Sequence, residues 1–511
     1  MTTIHVPRDS GALSLGAEAV VTAIAAEARR RGIALRIVRN GSRGLYWLEP
    51  LVEVTKAGGR IGYGPVTPAD VPGLFDAGFL DGGPHPLCIG LVERHPWLES
   101  QQRWSFARVG VIDPVSLSSC LAHGGFQGLE RALTLGPRQI LDEVGDSGLR
   151  GRGGAAFPTG RKWQTVAAQA SGPKYIVCNA DEGDSGSFAD RMILEGDPFL
   201  LLEGMVIAGL AVGATQGWIY LRAEYPHARR VLVEAIDAAR AGGCLGADVL
   251  GSGRAFDVTL RMGAGAYICG EETSMLESLE GRRGEVRVRP PLPAEKGLFG
   301  CPTVVNNVVT LAAVPGILAH GAAAYRAHGT EHSCGTLPLQ LAGNVRRGGL
   351  VERAFGLSLR ELLYDYGGGS ATGWPLRAVQ VGGPLGAWLP ASQFDLPLTY
   401  EALEAAGAML GHGGIVAFDE TVDMLGMARQ AMEFCAAESC GKCTPCRIGS
   451  RRGVELLERI ASGASVEPDL SRLEELCHTM EHGSLCGLGS MTPYPVLSAL
   501  RHFPADFRKA D

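Results

Sequence analysis

The run Lys174-Tyr-Ile-Val-Cys-Asn-Ala-Asp-Glu-Gly-Asp184 decides how the middle of this chain is read. Its first residues are apolar, β-forming and too few for a helix, so they predict a buried strand. The strand runs into a loop with three carboxylates, Asp181, Glu182 and Asp184, in four positions. Working outward, Phe199–Leu221 is long and apolar, but it holds Glu203 and four glycines and breaks at Gly213-Ala-Thr-Gln-Gly217. That pattern predicts a buried helix and then a strand, not a membrane span. Trp218–Arg222 is the strand, and Pro226 suits the first turn of the helix after it. Phe256–Arg261 is a further strand, leading through a glycine turn to a helix over Gly270–Glu280. Strand, ligand-like loop, helix is the grammar of an open parallel sheet with ligands at the strand ends, assigned to residues 109–332.

The flanks differ. Residues 1–108 predict a small α/β unit, with a helix over Ala17–Arg31, strands at Ala34–Val38 and Leu51–Thr55, and a helix cap at Pro65-Val-Thr-Pro-Ala-Asp70. This unit holds one cysteine, Cys88, and so cannot carry an iron–sulfur cluster of its own. Residues 333–410 predict a small sheet (Leu337–Leu341, Leu376–Val381) crossed by a helix at Ser358–Tyr366. Residues 411–511 predict helices at Thr421–Cys435, Arg447–Ala461 and Pro468–Met480.

The 511 residues are too many for one core, and the net charge of -7 argues against a nucleic-acid partner. The 72 glycines are about twice the usual share and cluster between elements, which suggests close backbone approach to ligands. The start MTTIHVPRDS lacks the basic and apolar stretches of a signal peptide, so a cytoplasmic location is expected. Thirteen cysteines in that compartment point to metal or redox chemistry rather than disulfides.

Cys440, Cys443 and Cys446 are spaced C-x2-C-x2-C in Glu438-Ser-Cys-Gly-Lys-Cys-Thr-Pro-Cys-Arg-Ile-Gly449, and Cys486 follows in Gly483-Ser-Leu-Cys-Gly-Leu-Gly489. Three thiolates on one turn can meet three irons of a cubane, and a remote fourth closes the cage, which reads as one [4Fe–4S] cluster. Structural zinc normally uses two separated CxxC knuckles, whereas this pattern is three plus one. Lys442 and Arg447 would offset the cluster's charge, and Cys435 and Cys477 read as buried helix cysteines outside the spacing.

The loop Gly148–Trp163 contains a formal G-x-G-x-x-A, but no strand precedes it and Pro158 interrupts the helix that should follow. As an anion cradle it is better, with exposed amides beside Arg150, Arg152, Arg161 and Lys162, though a plain surface loop would look similar. The acidic loop could hold ribose hydroxyls or magnesium, or be a solvated turn. Glu271 and Glu272 could bind a ligand or merely cap a helix, and Asn306 and Asn307 offer amides to a ring edge or phosphate.

Taken in order, GLRGRGGAAFPTGRKW, NADEGDSGSFADR, GAGAYICGEETSMLESLEGRRG, GCPTVVNNV and ESCGKCTPCRIG resemble the NADH-binding flavoprotein subunit of respiratory complex I. The same module occurs in NAD-reducing hydrogenases and NAD-dependent molybdenum formate dehydrogenases. The resemblance implies a multidomain α/β chain: a thioredoxin-like domain (1–108), a Rossmann-like FMN and NAD domain (109–332), a β-grasp, SLBB-type domain (333–410) and a helical [4Fe–4S] domain (411–511). It also implies that FMN and NAD are framed by Gly151, Arg152, Gly153, Gly154 and Lys162, by Asn179, Asp181 and Glu182, by Gly270, Glu271 and Glu272, and by Asn306 and Asn307. Phe157 stands where the family stacks an aromatic on the nucleotide, and Asp184 takes a usual Glu position on the nicotinamide side. Thr165 and Leu292 replace adenine-stacking aromatics of some members, and Val309 replaces a usual Glu.

The implied chemistry follows from electron counts. Nicotinamide exchanges a hydride and the cluster single electrons, so a flavin must lie between them, and no side chain need act as acid or base. Carboxylates near the ribose would favour NAD over NADP. The fused N-terminal unit resembles the thioredoxin-like ferredoxin subunit, most closely at Gly64-Pro-Val-Thr-Pro68, without its four cysteines. That combination most resembles the β subunit of cytoplasmic NAD-dependent molybdenum formate dehydrogenase. Its implied partners are a small [2Fe–2S] thioredoxin-like subunit and a large iron–sulfur/molybdenum catalytic subunit. The alternatives are the diaphorase subunit of an NAD-reducing hydrogenase or complex I-like dehydrogenase and, in another class, a non-catalytic scaffold.

Overall fold

The computed structural model describes residues 1–170 and 172–508. The first sheet takes strands β1 (Thr2–His5), β2 (Leu35–Val38), β3 (Val52–Lys56), β4 (Gly59–Tyr63) and β5 (Cys88–Leu91) in the order β2-β1-β3-β4-β5. Helix α1 (Ala17–Arg30) makes the crossover between the parallel pair β1 and β2, and β3, β4 and β5 follow antiparallel. This is the βαβ-plus-hairpin order of a thioredoxin-like sheet. Val20, Ile24 and Ala28 recur at helical spacing on α1 and are buried against Ile4, Val52 and Val54.

The second sheet is wholly parallel, with β6 (Tyr175–Ala180), β7 (Gln216–Leu221), β8 (Asp257–Met262) and β9 (Thr303–Asn307) in the order β8-β7-β6-β9. The chain steps outward from β6 to β8 and then crosses back to the other side of β6. The switch point, where such sheets bind ligands, therefore lies between the carboxyl ends of β6 and β9. Helix α2 (Thr159–Ala167) precedes this sheet, α3 (Pro198–Val212) joins β6 to β7, α4 (Glu272–Leu279) joins β8 to β9, and α5 (Val308–His320) follows β9. Every residue of α3 is buried, which explains its lack of periodicity, and it ends at Gly213 with φ +80°. A Cβ on Gly204 would come 2.1 Å from the Leu311 carbonyl oxygen, so only glycine lets α3 lie this close to α5.

The third sheet, β10 (Thr336–Gly343), β11 (Gly349–Ala354), β12 (Leu376–Val381), β13 (Ala387–Pro390) and β14 (Gly414–Asp419), runs β11-β10-β14-β12-β13. Its central pair β10–β14 is parallel and the outer pairs are antiparallel, as in β-grasp sheets. The expected helix at 358–366 is short, with one α-turn at Leu359–Glu361 relaxing into a π-turn at Leu362–Tyr366. The chain closes with α6 (Met424–Glu438), α7 (Thr444–Ala461), α8 (Val466–Gly483), α9 (Gly487–Met491) and α10 (Pro493–His502). Gly449 and Gly453, one turn apart on α7, lie against Met480 and Met432 of the neighbouring helices. Among the described residues no helix is long and apolar enough to cross a membrane.

Buried polar bonds join the first sheet to its neighbours. Arg43 donates to Glu53 at 2.9 and 2.8 Å, and Arg60 spans from Glu53 (3.1 Å) to the carbonyls of Gly110 and Val111. Glu352 on β11 accepts the amides of Ser105 and Phe106 at 2.9 and 3.0 Å.

Candidate cofactor cavity and cysteine centre

A cavity of about 680 Å³ opens at the switch point, within the range of ligand sites. One side is the loop Gly151–Phe157, and another is the end of β6 with its acidic loop. The far wall comes from Gly382, Leu385, Met409, Gly411 and His412 of the third sheet's loops and from Gly487, Leu488 and Met491 of α9.

The glycine loop meets its expectation in part. The amide of Gly151 bonds the Phe157 carbonyl (2.9 Å), closing the loop, and α2 starts directly after Pro158, so the proline heads the helix rather than interrupting it. Gly153 lies flat against Asn307, where a Cβ would come within 2.8 Å, and Gly154 takes φ +112°. Gly153, Gly154 and Ala155 line the cavity, and among the described residues their amides donate to no protein acceptor. Arg152 corrects the sequence reading, because it is absent from the wall. It is 1% exposed, and its guanidinium bonds the carbonyls of Thr336, Cys334 and Arg150 and the hydroxyls of Tyr325 and Tyr400. Arg150 is likewise engaged, by Glu401 at 2.7 Å. Lys162 does line the cavity, donating to the Val305 carbonyl at 2.9 Å and approaching Glu272 at 3.3 Å.

Asn179 lines the cavity and donates to the Gly270 carbonyl at 2.7 Å, fastening the acidic loop to the turn before α4. Burial pushes the Asp181 carboxyl up to about 7. Burial also raises Asp184, opposed by the Tyr267 hydroxyl that donates to it at 2.7 Å. Glu182 lines the cavity, but its oxygens accept the amides of Asp190 and Arg191 (both 3.0 Å) and the Tyr225 hydroxyl (2.9 Å). Glu271 is the N-cap of α4, accepting the amides of Thr273 and Ser274 at 2.9 Å. Glu272 faces Arg289 (3.1 Å) at the mouth, beside exposed Phe157 and Leu292. Asn306 accepts Trp163 Nε1 at 2.7 Å, which leaves its amide hydrogens for the cavity. Asn307 caps α5 and gives its amide hydrogens to Asp190 at 2.9 and 2.7 Å.

The four cysteines converge. Cys443 is the N-cap of α7, Cys446 sits in its first turn, and Cys440 lies just before them. Cys486 is the N-cap of α9, and all four pack into one cluster with Ile268 and Leu488. Gly441 has φ +80°, which turns the CxxC segment back on itself. A Cβ on Gly489 would meet Cys446 Cβ at 2.8 Å, so the space between the two segments is kept by glycine. Burial pushes the Cys486 thiol up to about 11, opposed by hydrogen bonds from the amides of Leu488 and Gly489. Lys442 is spent on the Val286 carbonyl (2.6 Å), while Arg283 reaches the Cys440 carbonyl at 3.2 Å. Cys435 and Cys477 are buried helix cysteines, as expected.

Comparison with known proteins matches residues 144–316 to the Nuo51 FMN-binding domain and 426–510 to the NADH-ubiquinone oxidoreductase-F iron-sulfur binding region. The NADP-reducing hydrogenase subunit HndC of Solidesulfovibrio fructosivorans is 46% identical over 409 residues, 80% of this chain and 83% of that protein. The chain belongs to the NADH-binding flavoprotein family of complex I. An NADH-quinone oxidoreductase subunit of Rhizobium meliloti (strain 1021) is 45% identical over 400 residues, 78% of this chain and 95% of that protein. A solved NAD+-reducing [NiFe]-hydrogenase in the H2-reduced state has a chain 31% identical, matching 99% of this chain and 83% of its own length with a TM-score of 0.70.

As a member of this family, the chain is an NAD-dependent FMN/iron–sulfur oxidoreductase subunit with an FMN- and NADH-binding domain and a 4Fe–4S region. Its residues fit those groups. The free amides of the glycine loop at a helix start suit a phosphate, and four convergent thiols are the donor set of a cubane. Sequence reasoning missed Asp190, Tyr267, Arg289 and His412. Tyr267 lies inside the motif GAGAYICGEETS, where the neighbouring acids draw the eye. Its ring packs edge-on to Phe434 of α6 at 4.9 Å and its amide bonds Glu438, so it links cavity and cysteine domain. Asp190 and His412 are far apart in sequence, and no local pattern marks them as partners.

Proposed function

We propose that this chain is the diaphorase subunit of an NAD-linked multisubunit oxidoreductase, exchanging a hydride between NAD(H) and FMN and single electrons with one [4Fe–4S] cluster held by Cys440, Cys443, Cys446 and Cys486. One observation carries this reading. The cavity whose near wall is the glycine loop and acidic loop has α9 as its far wall, and α9 begins directly after Cys486. FMN bound there would supply the step from two electrons to one. Gly151, Gly153, Gly154, Lys162 and Asn306 would hold its phosphate and ring edge. Asn179, Asp181, Glu182, Gly270, Glu271, Glu272 and Asn307 shape the cavity, with Phe157 at the nucleotide and Asp184 on the nicotinamide side. Arg152 supports the loop from behind.

Residues 1–108, 109–332, 333–410 and 411–511 serve as docking, flavin, β-grasp and cluster domains. The docking role is supported by a complete first sheet whose single cysteine, Cys88, leaves no cluster ligand set. We infer from that feature a cytoplasmic molybdenum formate dehydrogenase, with a small [2Fe–2S] thioredoxin-like chain and a large iron–sulfur/molybdenum chain as partners. A hydrogenase reading is favoured by the [NiFe]-hydrogenase likeness, which extends over 99% of this chain, first sheet included. Purification of the complex from its source decides between them. Molybdenum with formate-driven NAD+ reduction supports the first, nickel with H2-driven reduction supports the second, and a chain free of flavin and iron overturns both.

A further inference from the structure

His412 stands on a loop of the third sheet, between Gly411 and Gly413 and just before β14. The loop can come this close only through glycine, since a Cβ on Gly411 would meet Gly382 Cα at 2.5 Å and one on Gly413 the Pro338 carbonyl at 2.4 Å. The ring is carried across to the flavin domain and lines the cavity, only 5% exposed. There Nε2 lies 3.3 Å from Asp190 Oδ1 and Nδ1 3.9 Å from Glu182 Oε1. The three ligand-type atoms fall within 4.8 Å of one another. They do not make a cation site, because the oxygens of Glu182 are taken by two backbone amides and a tyrosine, and those of Asp190 by Asn307. What remains is a charge pattern: three inward carboxylates, Asp184, Glu182 and Asp190, facing a single imidazole. Nearby, Arg222 is engaged with the Glu182 carbonyl and Glu224, and Tyr225 and Tyr267 donate to Glu182 and Asp184.

We propose that His412 is a positioning residue of the flavin cavity: its imidazolium, delivered from the third sheet, stands against Asp190 and Glu182 and sets a fixed positive charge in the acidic wall that favours the electron-rich, reduced form of the flavin. This rests on the flavin-binding character of the cavity and not on which acceptor complex the chain serves. Burial opposes the charge on the ring, but Asp190, Glu182 and Asp184 outweigh it and hold His412 at about 9. A neutral imidazole would leave three carboxylates facing a ring that gains electrons. Asp190 would keep its two bonds from Asn307 and lose only the neighbouring positive charge.

The test is a redox titration of the bound flavin in the full chain as purified, wild type against His412→Gln, with flavin content and melting temperature recorded. The glutamine keeps a hydrogen-bonding side chain of similar reach and removes the charge. Loss of one nearby charge should weaken binding of reduced relative to oxidised flavin on the order of tenfold, or about 30 mV more negative for a two-electron couple. The wild-type potential should also fall more steeply with pH above about 9, where reduction takes up a proton on the ring, and the variant should lack that break. An unchanged potential with flavin retained, or a wild type without the break, overturns the proposal. Should the variant lose flavin or fail to fold, the wild-type pH titration decides alone. Wild-type chain without flavin would overturn the flavin reading itself, before any variant is made.

Discussion

Arg152 gives its guanidinium to five protein acceptors and none of it to the cavity. A basic residue in a glycine loop reads as a phosphate ligand, because spacing reports position and not side-chain direction. Arg152→Ala should therefore act through stability, costing about 1–3 kcal/mol for each buried acceptor left unpaired, with any surviving fold still binding FMN. A calorimetric melt with a flavin titration checks this, and weakened FMN at an unchanged melting temperature would return Arg152 to the site. The cysteines are legible in the sequence because a cubane demands a short-range pattern. Cys443→Ala should remove most of the cluster's iron and leave the flavin, and unchanged iron content would refute the ligand assignment. Asp184→Ala, which deprives Tyr267 of its 2.7 Å acceptor, should lower kcat/KM for NADH about tenfold, about 1.4 kcal/mol, while FMN is retained. Equal losses of both would count against a nicotinamide-side role.

At the scale of elements, β6, β7 and β8 are legible nearly as they stand, since a buried parallel strand is a short apolar run between turns, whereas β1, β4, β5, β9, β11, β13 and β14 go unread. Helix ends are less exact. The run expected at 421–435 forms at Met424–Glu438, where Asp423 caps the start by accepting the Gly426 amide. The sequence predicts a helix interrupted at Pro158, yet proline's fixed φ and missing N–H cost nothing at a helix start. The same element-level physics makes α3 vulnerable. Gly204→Ala gains about 0.5–1 kcal/mol of helix preference but drives a methyl into the Leu311 carbonyl. Overpacking against backbone costs about 1–3 kcal/mol, so the variant should melt lower than wild type. A higher melting temperature would mean that α3 and α5 can slide apart freely.

For the whole molecule, the joints between sheets titrate in opposite senses. Burial raises the Glu53 carboxyl but the Arg43 and Arg60 guanidiniums pull it below its usual range, so its stabilisation is present above about 4.5 and is lost as pH falls through the lowered value. His412 is raised, so its stabilisation is full below 6.5 and is lost as pH rises through about 9. Melting temperature against pH should thus peak between those limits. Glu53→Gln should flatten the acid limb and His412→Gln the alkaline limb, and a variant that shifts both limbs equally would refute the assignment. Neither joint is legible in the sequence. Burial of Arg43 and Glu53 depends on how the three sheets meet, and no one segment encodes that meeting.

The far wall of the cavity has a consequence for how the protein is made. Gly487, Leu488 and Met491 leave the ribosome long after the glycine and acidic loops, and Cys486 leaves with them. Without that segment the cavity lacks the wall opposite the glycine and acidic loops. One short segment supplies both that wall and the fourth cysteine of the proposed ligand set. On the proposed ligand set, a chain interrupted before Cys486 would lack both the far wall of the cavity and the fourth thiol.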